Sequence, residues 1–444
     1  MLMTLQPFPI VADLLGDYFD LRERVSPFSR YQADPEGYAH DVLGVAWWSK
    51  QVEVARAVVE HPKVFVKASH NVGKCVAADE LITLASGQRV PARELAGREF
   101  KLLTLANGRV VKTGARAEWN SDEEPVYTIT TRSGRRITRN AAHPLWRARG
   151  AFALGTHPKI HVAGWTAISS FTAGDLVAST SELPAFGDRA MTDAETGFLA
   201  YMIGDGGMTA GLRFSQQDNA QLAEFRTCVD AIGCIVRRIP PSKTAKYDFA
   251  VVGQIGTGGA KKSAAQLLLA RHGLLGKHSR DKFIPDAIFE LPRSSIAHSL
   301  SRLYSTDGWA SVAGNGCMEI GFCSASERLV RDIQHLLMRF GIRSAVTART
   351  DVRAWSVSIR MAASAVRFCR EIGIYGKEEA VERVRILAEQ RLAGRNRGRW
   401  RHRNATPGTF WEIVESVECV GSAATVAIEV PGHRGPNKRF ALKQ

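Results

Sequence analysis

The 444 residues contain no stretch approaching the roughly 18 consecutive apolar positions that a membrane-spanning helix needs. The start, MLMTLQPFPIVADLL, lacks the basic segment, apolar run and small-residue cleavage site of a secretory signal, so a cytoplasmic location is the default expectation. Cysteine is scarce and odd in number, seven in all, with no CxxC pair and no zinc-like Cys/His spacing. That argues against a disulfide framework and a structural zinc site. Cys228, Cys234, Cys317, Cys323, Cys369 and Cys419 sit among apolar residues and read as small buried hydrophobes; Cys75 differs by its position. Acidic residues are also short, 44 against 59 Lys and Arg, for a net charge of +15. The excess points to a polyanionic partner, most simply nucleic acid, with an idle basic surface as the bland alternative. Apolar and charged fractions of 45% and 23% are those of ordinary globular protein, and the length suggests two to four domains.

Residues 1–74 read as a mostly helical lead-in followed by a short strand, Val64-Phe65-Val66-Lys67. The strand runs into Ala68-Ser-His-Asn-Val-Gly73-Lys74-Cys75, most of a phosphate-binding loop. Such a loop cradles phosphates with backbone N–H groups, reaches them with its lysine and ligates Mg²⁺ through a following hydroxyl. Gly73 and Lys74 fit as phosphate contacts, but the hydroxyl position holds the Cys75 thiol, a poor ligand for a hard cation. The next residues show strand alternation around an Ala-Ser-Gly turn instead of a helix. The motif stops part-way. With WWSKQVEVARAVVEHPKVFVKASHNVGK, this segment resembles the beginning of a phage terminase large subunit, an ATPase.

From Cys75 onward the chain resembles the N-terminal splicing block of inteins: an initial Cys, then Asp79-Glu-Leu-Ile82-Thr-Leu-Ala-Ser-Gly87 and Glu94-Leu-Ala-Gly97. An insert placed before the loop's hydroxyl and later excised would restore the broken motif. The chemistry needs a nucleophile at the first position, and a thiol is better suited than a hydroxyl near neutral pH. It also needs a proton for the leaving nitrogen. Thr128 to Thr138, with Asn140 and His143 following, resembles the second splicing block, a hairpin with a Ser-Gly turn. The resemblance gives His143 the catalytic histidine role and puts Asn140 where Thr is usual. Trp165 and Gly174-Asp175 match a further segment of the family.

Trp411 to Gly421 and Thr425 to Val430 fit the closing hairpin of that frame. The family often has Asp where this chain has Ala427, and His433 is the candidate for the penultimate histidine. The last residues, Phe440-Ala-Leu-Lys-Gln444, lack the His-Asn and following Ser, Thr or Cys through which inteins release the branched intermediate. The expectation is therefore cleavage through a Cys75 thioester, more securely than ligation, with the C-terminal extein absent from this chain.

Between the two halves lies an internal duplication. Phe198-Leu-Ala-Tyr-Met-Ile-Gly-Asp205-Gly206 and Leu300-Ser-Arg-Leu-Tyr-Ser-Thr-Asp307-Gly308 are each followed by strand, helix and strand patterns. One Asp-Gly is common turn chemistry, but two at equivalent places in a repeat are a strong signal. Both resemble the motif of the LAGLIDADG (DOD-type) homing endonucleases. That resemblance implies a monomer with a pseudo-two-fold axis, the carboxylates of Asp205 and Asp307 at its centre, and Mg²⁺ that activates water for phosphodiester hydrolysis. It implies double-stranded DNA as partner, namely the intein-free allele, beneath a saddle of strands with Arg213, Arg237, Lys246, Arg343, Arg349 and Arg360 as candidate contacts. Lys282-Phe-Ile-Pro285 resembles the element between the repeats, and Lys282 is a candidate for stabilising developing charge or aiding water activation; a solvated lysine before a turn is the alternative. Arg302 replaces a residue that is often Gly where the motif helices approach, which requires its side chain to snorkel outward.

The expected fold class is multidomain: a mostly-β Hint-type splicing domain interrupted by an α+β endonuclease with duplicated αββαββα halves, after a short α/β N-terminal extein. The expected boundaries are 1–74 for the extein, 75–187 and 410–444 for the splicing domain, 188–385 for the endonuclease and 386–409 for a basic linker. A degenerate insert that folds and binds DNA but neither splices nor cuts is the alternative function.

Overall fold

The computed structural model describes residues 29–45, 47, 49–61, 64, 75–106, 108–120, 123–150, 161–241, 246–253, 262–394, 408–430 and 440–441. It divides into two compact units, 1–69 and 70–444. In the first, the described residues form helices Pro35–Asp41 and Ser49–Glu60 after a short 3₁₀ turn, Ser29–Tyr31. Asp34 caps the first helix by accepting from the Gly37 N–H, with Pro35 at the position where a missing N–H costs nothing. Val64 is not in a strand; Phe65–Lys67, like the loop with Gly73 and Lys74, lies outside the described residues.

The second unit is built on an eleven-stranded sheet whose named ladders are antiparallel. Cys75–Ala77 runs through its middle, between Thr425–Glu429 and Arg136–Asn140. Residues from both ends of the frame thus share one sheet, and Cys75 sits directly opposite Ala427. The long strand Thr409–Ala423 joins two regions by pairing with Glu124–Thr131 on one side and Leu176–Thr180 on the other. Register shifts after Val414 and Cys419 bend it enough to do so. The hairpin between Glu124–Thr131 and Arg136–Asn140 turns at Ser133-Gly134, where Gly134 takes φ +79°. Asp175, the acidic residue of the Gly-Asp pair, is buried and clamped by Arg147 at 3.2 Å and Arg149 at 3.4 Å.

The insert between these halves repeats one arrangement twice. Helix Asp193–Gly204, the first motif helix, leads into a four-stranded sheet ordered Gly206–Gly207, Arg213–Ser215, Asp248–Gly253, Cys234–Arg238, backed by helix Asn219–Ala231. Helix Arg293–Asp307, the second motif helix, leads into Gly308–Val312, Met318–Ser324, Ala354–Ile359, Ala345–Arg349, backed by helix Glu327–Arg339. Helices Ala264–Arg271 and Ala362–Glu371 follow the respective sheets. A capping box, Thr192 with Glu195, starts the first motif helix. From Thr196 to Ile203 that helix is buried on every side, as expected of a central helix with no polar face. One continuous apolar core runs through both repeats.

Two sequence expectations need correction. Cys317 and Cys419 are exposed, and Cys323 and Cys369 only partly covered: turn and strand positions face outward even among apolar neighbours, and helix Ala362–Glu371 turns Cys369 partly to solvent. The basic linker does not begin at 386: helix Glu378–Ala393 continues through it and places Val384 and Ala388 in the core. Residues 395–407, which hold most of the arginines of that segment, lie outside the described residues, as does His433.

Candidate functional site

Two groups of polar side chains stand apart from the packing, one in each part of the second unit. The first gathers on the peptide that begins the central strand. Cys75 is 3% exposed, and its backbone N–H donates to Asn140 Oδ1 at 3.2 Å. The His143 ring donates through Nδ1 to the Cys75 carbonyl, also at 3.2 Å. Both side chains are buried. They come from the end of strand Arg136–Asn140 and the turn after it, which the adjacent ladder holds against Cys75; Val76 pairs with Arg139. Asn140 is thus bonded to the nitrogen that must leave if the Lys74–Cys75 peptide is broken. Ala427, opposite Cys75, presents only a methyl group.

The second group lies where the motif helices end. Gly204 abuts Thr306, its counterpart in the repeat: a Cβ on Gly204 would stand 2.1 Å from Thr306 Oγ1. Only a glycine lets the helices approach this closely. The following residues are Asp205 and Asp307. Burial, and then the charge of Asp307, push Asp205 up to about 6, and burial raises Asp307 as well. Lys282 is 6% exposed and donates from Nζ to the Gly204 carbonyl at 2.6 Å. Burial brings its ammonium down to about 8 against the pull of both carboxylates.

Sequence reasoning missed a second lysine. Lys377 donates to the carbonyls of Thr306 at 3.2 Å and Gly308 at 2.6 Å, and burial lowers its affinity for a proton as well. It does for the second motif helix what Lys282 does for the first. The signal was available: Lys377 closes the second repeat as Lys282 closes the first, although no Ile-Pro follows it.

Two hard oxygen donors suit a divalent cation that keeps several waters or substrate oxygens, as Mg²⁺ does. Among the described residues no group of three or more His, Cys, Asp or Glu side chains could form a fuller cage. Asp205 and Asp307 would hold such an ion.

Arg302 does not intrude on this centre. Its guanidinium donates to Glu224 at 2.6 and 2.9 Å and lies over the Tyr375 ring, with 20% of the side chain exposed. Tyr201 donates to the same carboxylate. Of the candidate DNA contacts, Arg213 and Arg237 both stand opposite Ala250 in the first sheet and therefore share its outer face, away from Phe214 and Phe249. Both are exposed, as is Lys246. Arg349 and Arg360 are exposed at the second sheet but paired with Asp351 at 3.0 Å and Glu319 at 3.3 Å. Arg343 precedes the strand, which starts at Ala345, and its guanidinium lies 3.7 Å from the Phe410 ring centre.

Residues 294–373 match the family described as LAGLIDADG-like domain. The chain is 28% identical over 281 residues to the replicative DNA helicase DnaB of Nostoc, an alignment covering 61% of this chain and 30% of that one. The chain therefore spans about a third of that relative's length. A DnaB intein from Synechocystis is similar over 24% of this chain and 68% of its own, at 22% identity and a TM-score of 0.20. The homing endonuclease I-DmoI, solved in complex with DNA and Mn, is similar over 40% of this chain and 96% of its own, at 12% identity and a TM-score of 0.28. The family match supports the LAGLIDADG resemblance of the second repeat. No terminase is among the relatives named here, and the reading of residues 1–74 rests on their sequence.

Proposed function

We propose that this chain is an intein-type precursor in which Cys75 opens the preceding peptide bond and the duplicated insert cuts double-stranded DNA. The observation that carries the first activity is the convergence of Asn140 and His143 on the two sides of Cys75. In the proposed step the Cys75 sulfur attacks the Lys74 carbonyl carbon. A C–S bond forms, the C–N bond breaks, and the thiol proton ends on the Cys75 nitrogen, leaving a thioester and a free amine. Asn140 holds the N–H of the leaving nitrogen. That contact strengthens as the nitrogen takes up the proton, because the cationic N–H of the tetrahedral intermediate is a stronger donor than the amide N–H, which favours the transition state over the ground state. In this reading His143, bonded one carbonyl further on, would shuttle the proton.

For the second activity, Asp205 and Asp307 would bind Mg²⁺, which supplies an activated water and stabilises the leaving oxygen of a phosphodiester. Lys282 and Lys377 hold positive charge beside the carboxylates and steady the carbonyls at the helix ends. Arg213 and Arg237 would meet backbone phosphates. The substrate in this reading is the joined flanking sequence without the insert, and residues 1–74 are the terminase-like host segment.

Added thiol tests the first activity: it should release an N-terminal fragment ending at Lys74, and Cys75→Ala should abolish the release. An intact chain, or unchanged cleavage in the variant, contradicts the proposal. Cutting of an insert-free target with Mg²⁺ tests the second, with Asp205→Asn and Asp307→Asn each expected to be inactive. A second reading is favoured by the methyl of Ala427 opposite Cys75, where the family often has a carboxyl group: a folded, DNA-binding insert whose splicing chemistry is lost. It predicts specific DNA binding without fragment release or cutting.

A further inference from the structure

The orientation of the Asn140 side chain is fixed from behind. Its Nδ2 donates to Glu124 Oε2 at 2.7 Å while its Oδ1 accepts from the Cys75 N–H at 3.2 Å. The oxygen and nitrogen of a carboxamide are easily interchanged, but here only one orientation satisfies both neighbours. A carboxylate can only accept and a peptide N–H can only donate. The register explains how Glu124 arrives: Val126 is the cross-strand partner of Asn140, and Glu124 lies two residues earlier on the same face, within diagonal reach. At that point the ladder has given way to the turn, with the Ala141 N–H donating to the Pro125 carbonyl.

We propose that Glu124 is a positioning residue for the acyl shift at Cys75, holding the Asn140 carboxamide so that its oxygen faces the scissile nitrogen. The proposal rests on the reading of Cys75 as the nucleophile. With the carboxamide reversed, an NH₂ group would face an N–H, donor against donor, and the contact that grows as the nitrogen leaves would become a repulsion. A glutamine at 124 removes the selection, because it can accept from Asn140 through its oxygen or donate through its nitrogen. A hydroxyl at position 140 would need no such guidance, since it rotates freely and can accept from the N–H in either setting.

The test uses the full chain and the first-order rate of fragment release with excess dithiothreitol. Glu124→Gln should slow release about tenfold, the scale of one charge-assisted hydrogen bond. In an Asn140→Thr background the same substitution should change the rate less than twofold. A rate equal to that of the unsubstituted chain overturns the proposal. So does equal slowing in both backgrounds, which would mark Glu124 as a packing residue. If the unsubstituted chain releases no fragment, the nucleophile reading fails, and a second measurement still decides the role of Glu124. In Cys75→Ala protein labelled with ¹⁵N-asparagine, the Asn140 side-chain amide should show slow proton exchange that speeds at least tenfold in Glu124→Gln. Unchanged exchange overturns the proposal.

Discussion

Arg89 and Asp332 lie 243 positions apart in the chain and meet at 2.8 Å, both almost fully enclosed. Arg89 belongs to a strand at the opening of the splicing frame, Asp332 to the helix Glu327–Arg339 of the second repeat. Burial lifts the Asp332 carboxyl above the usual range even with Arg89 and the Ile284 N–H against it. The same helix contributes Arg339, whose guanidinium donates to the carbonyls of Gly87, Ala185 and Phe289, and Arg331 and Gln334, which donate to Gly134 and Ser133. One face of helix Glu327–Arg339 therefore holds two turns of the eleven-stranded frame, including the hairpin that carries Asn140.

Breaking that pair should be costly. Asp332→Ala leaves a buried guanidinium without its counter-charge and is expected to destabilise by about 3–5 kcal/mol. The double variant Asp332→Leu with Arg89→Met, which removes both charges, should recover most of the loss. Urea unfolding of the single and double variants checks this, and a double variant less stable than either single would contradict it.

Acidity should govern the DNA-cutting centre in two ways. Asp205, at about 6, is protonated at lower pH and then cannot ligate a cation, so the cutting rate should fall as pH drops through 6. Above about 8 Lys282 loses its charge, and the rate should fall again if that charge serves the reaction. Initial rates between pH 5 and 9 at a fixed, subsaturating Mg²⁺ concentration, where proton and cation compete for the carboxylate, should trace a bell.

Stability carries the opposite sign. The folded Asp205 binds a proton more tightly than an unfolded aspartate, so its contribution is greatest at low pH and is lost as pH rises through about 6. Asp205→Asn removes the buried charge and should raise the metal-free melting temperature at pH 8, with little difference at pH 4. A variant that melts lower at both pH values would show that the carboxylate is not strained by its surroundings.

What the sequence made legible was local. A repeated apolar helix ending in Asp-Gly pointed to Asp205 and Asp307, and a thiol in place of a hydroxyl marked Cys75. The same residues do not reveal Glu124 or the Arg89–Asp332 contact, because each acts through a neighbour set by register or by packing between distant segments. Arg343 was misplaced for a related reason. Alternation does not reveal that the strand begins only at Ala345, and nothing nearby in sequence announced Phe410 beneath the guanidinium. Cys317, just before strand Met318–Ser324, and Cys419 failed similarly, since apolar neighbours do not say whether a residue faces the core.

Lys377 and Lys282 should be comparable in weight, because each donates to carbonyls at the end of one motif helix. Lys377→Met is expected to reduce Mg²⁺-dependent cutting by about 10²–10⁴, the range for a positioned acid–base group, and Lys282→Met similarly. Target binding in Ca²⁺ should change little in either variant. This separates both lysines from Arg213 and Arg237, whose removal should weaken binding to any duplex and lower the salt slope by about one each. Filter binding at several salt concentrations, run beside the cutting assay, distinguishes the two behaviours. A Lys377 variant that loses affinity and salt dependence but cuts normally when saturated would place that lysine on the DNA backbone, away from the reacting phosphate.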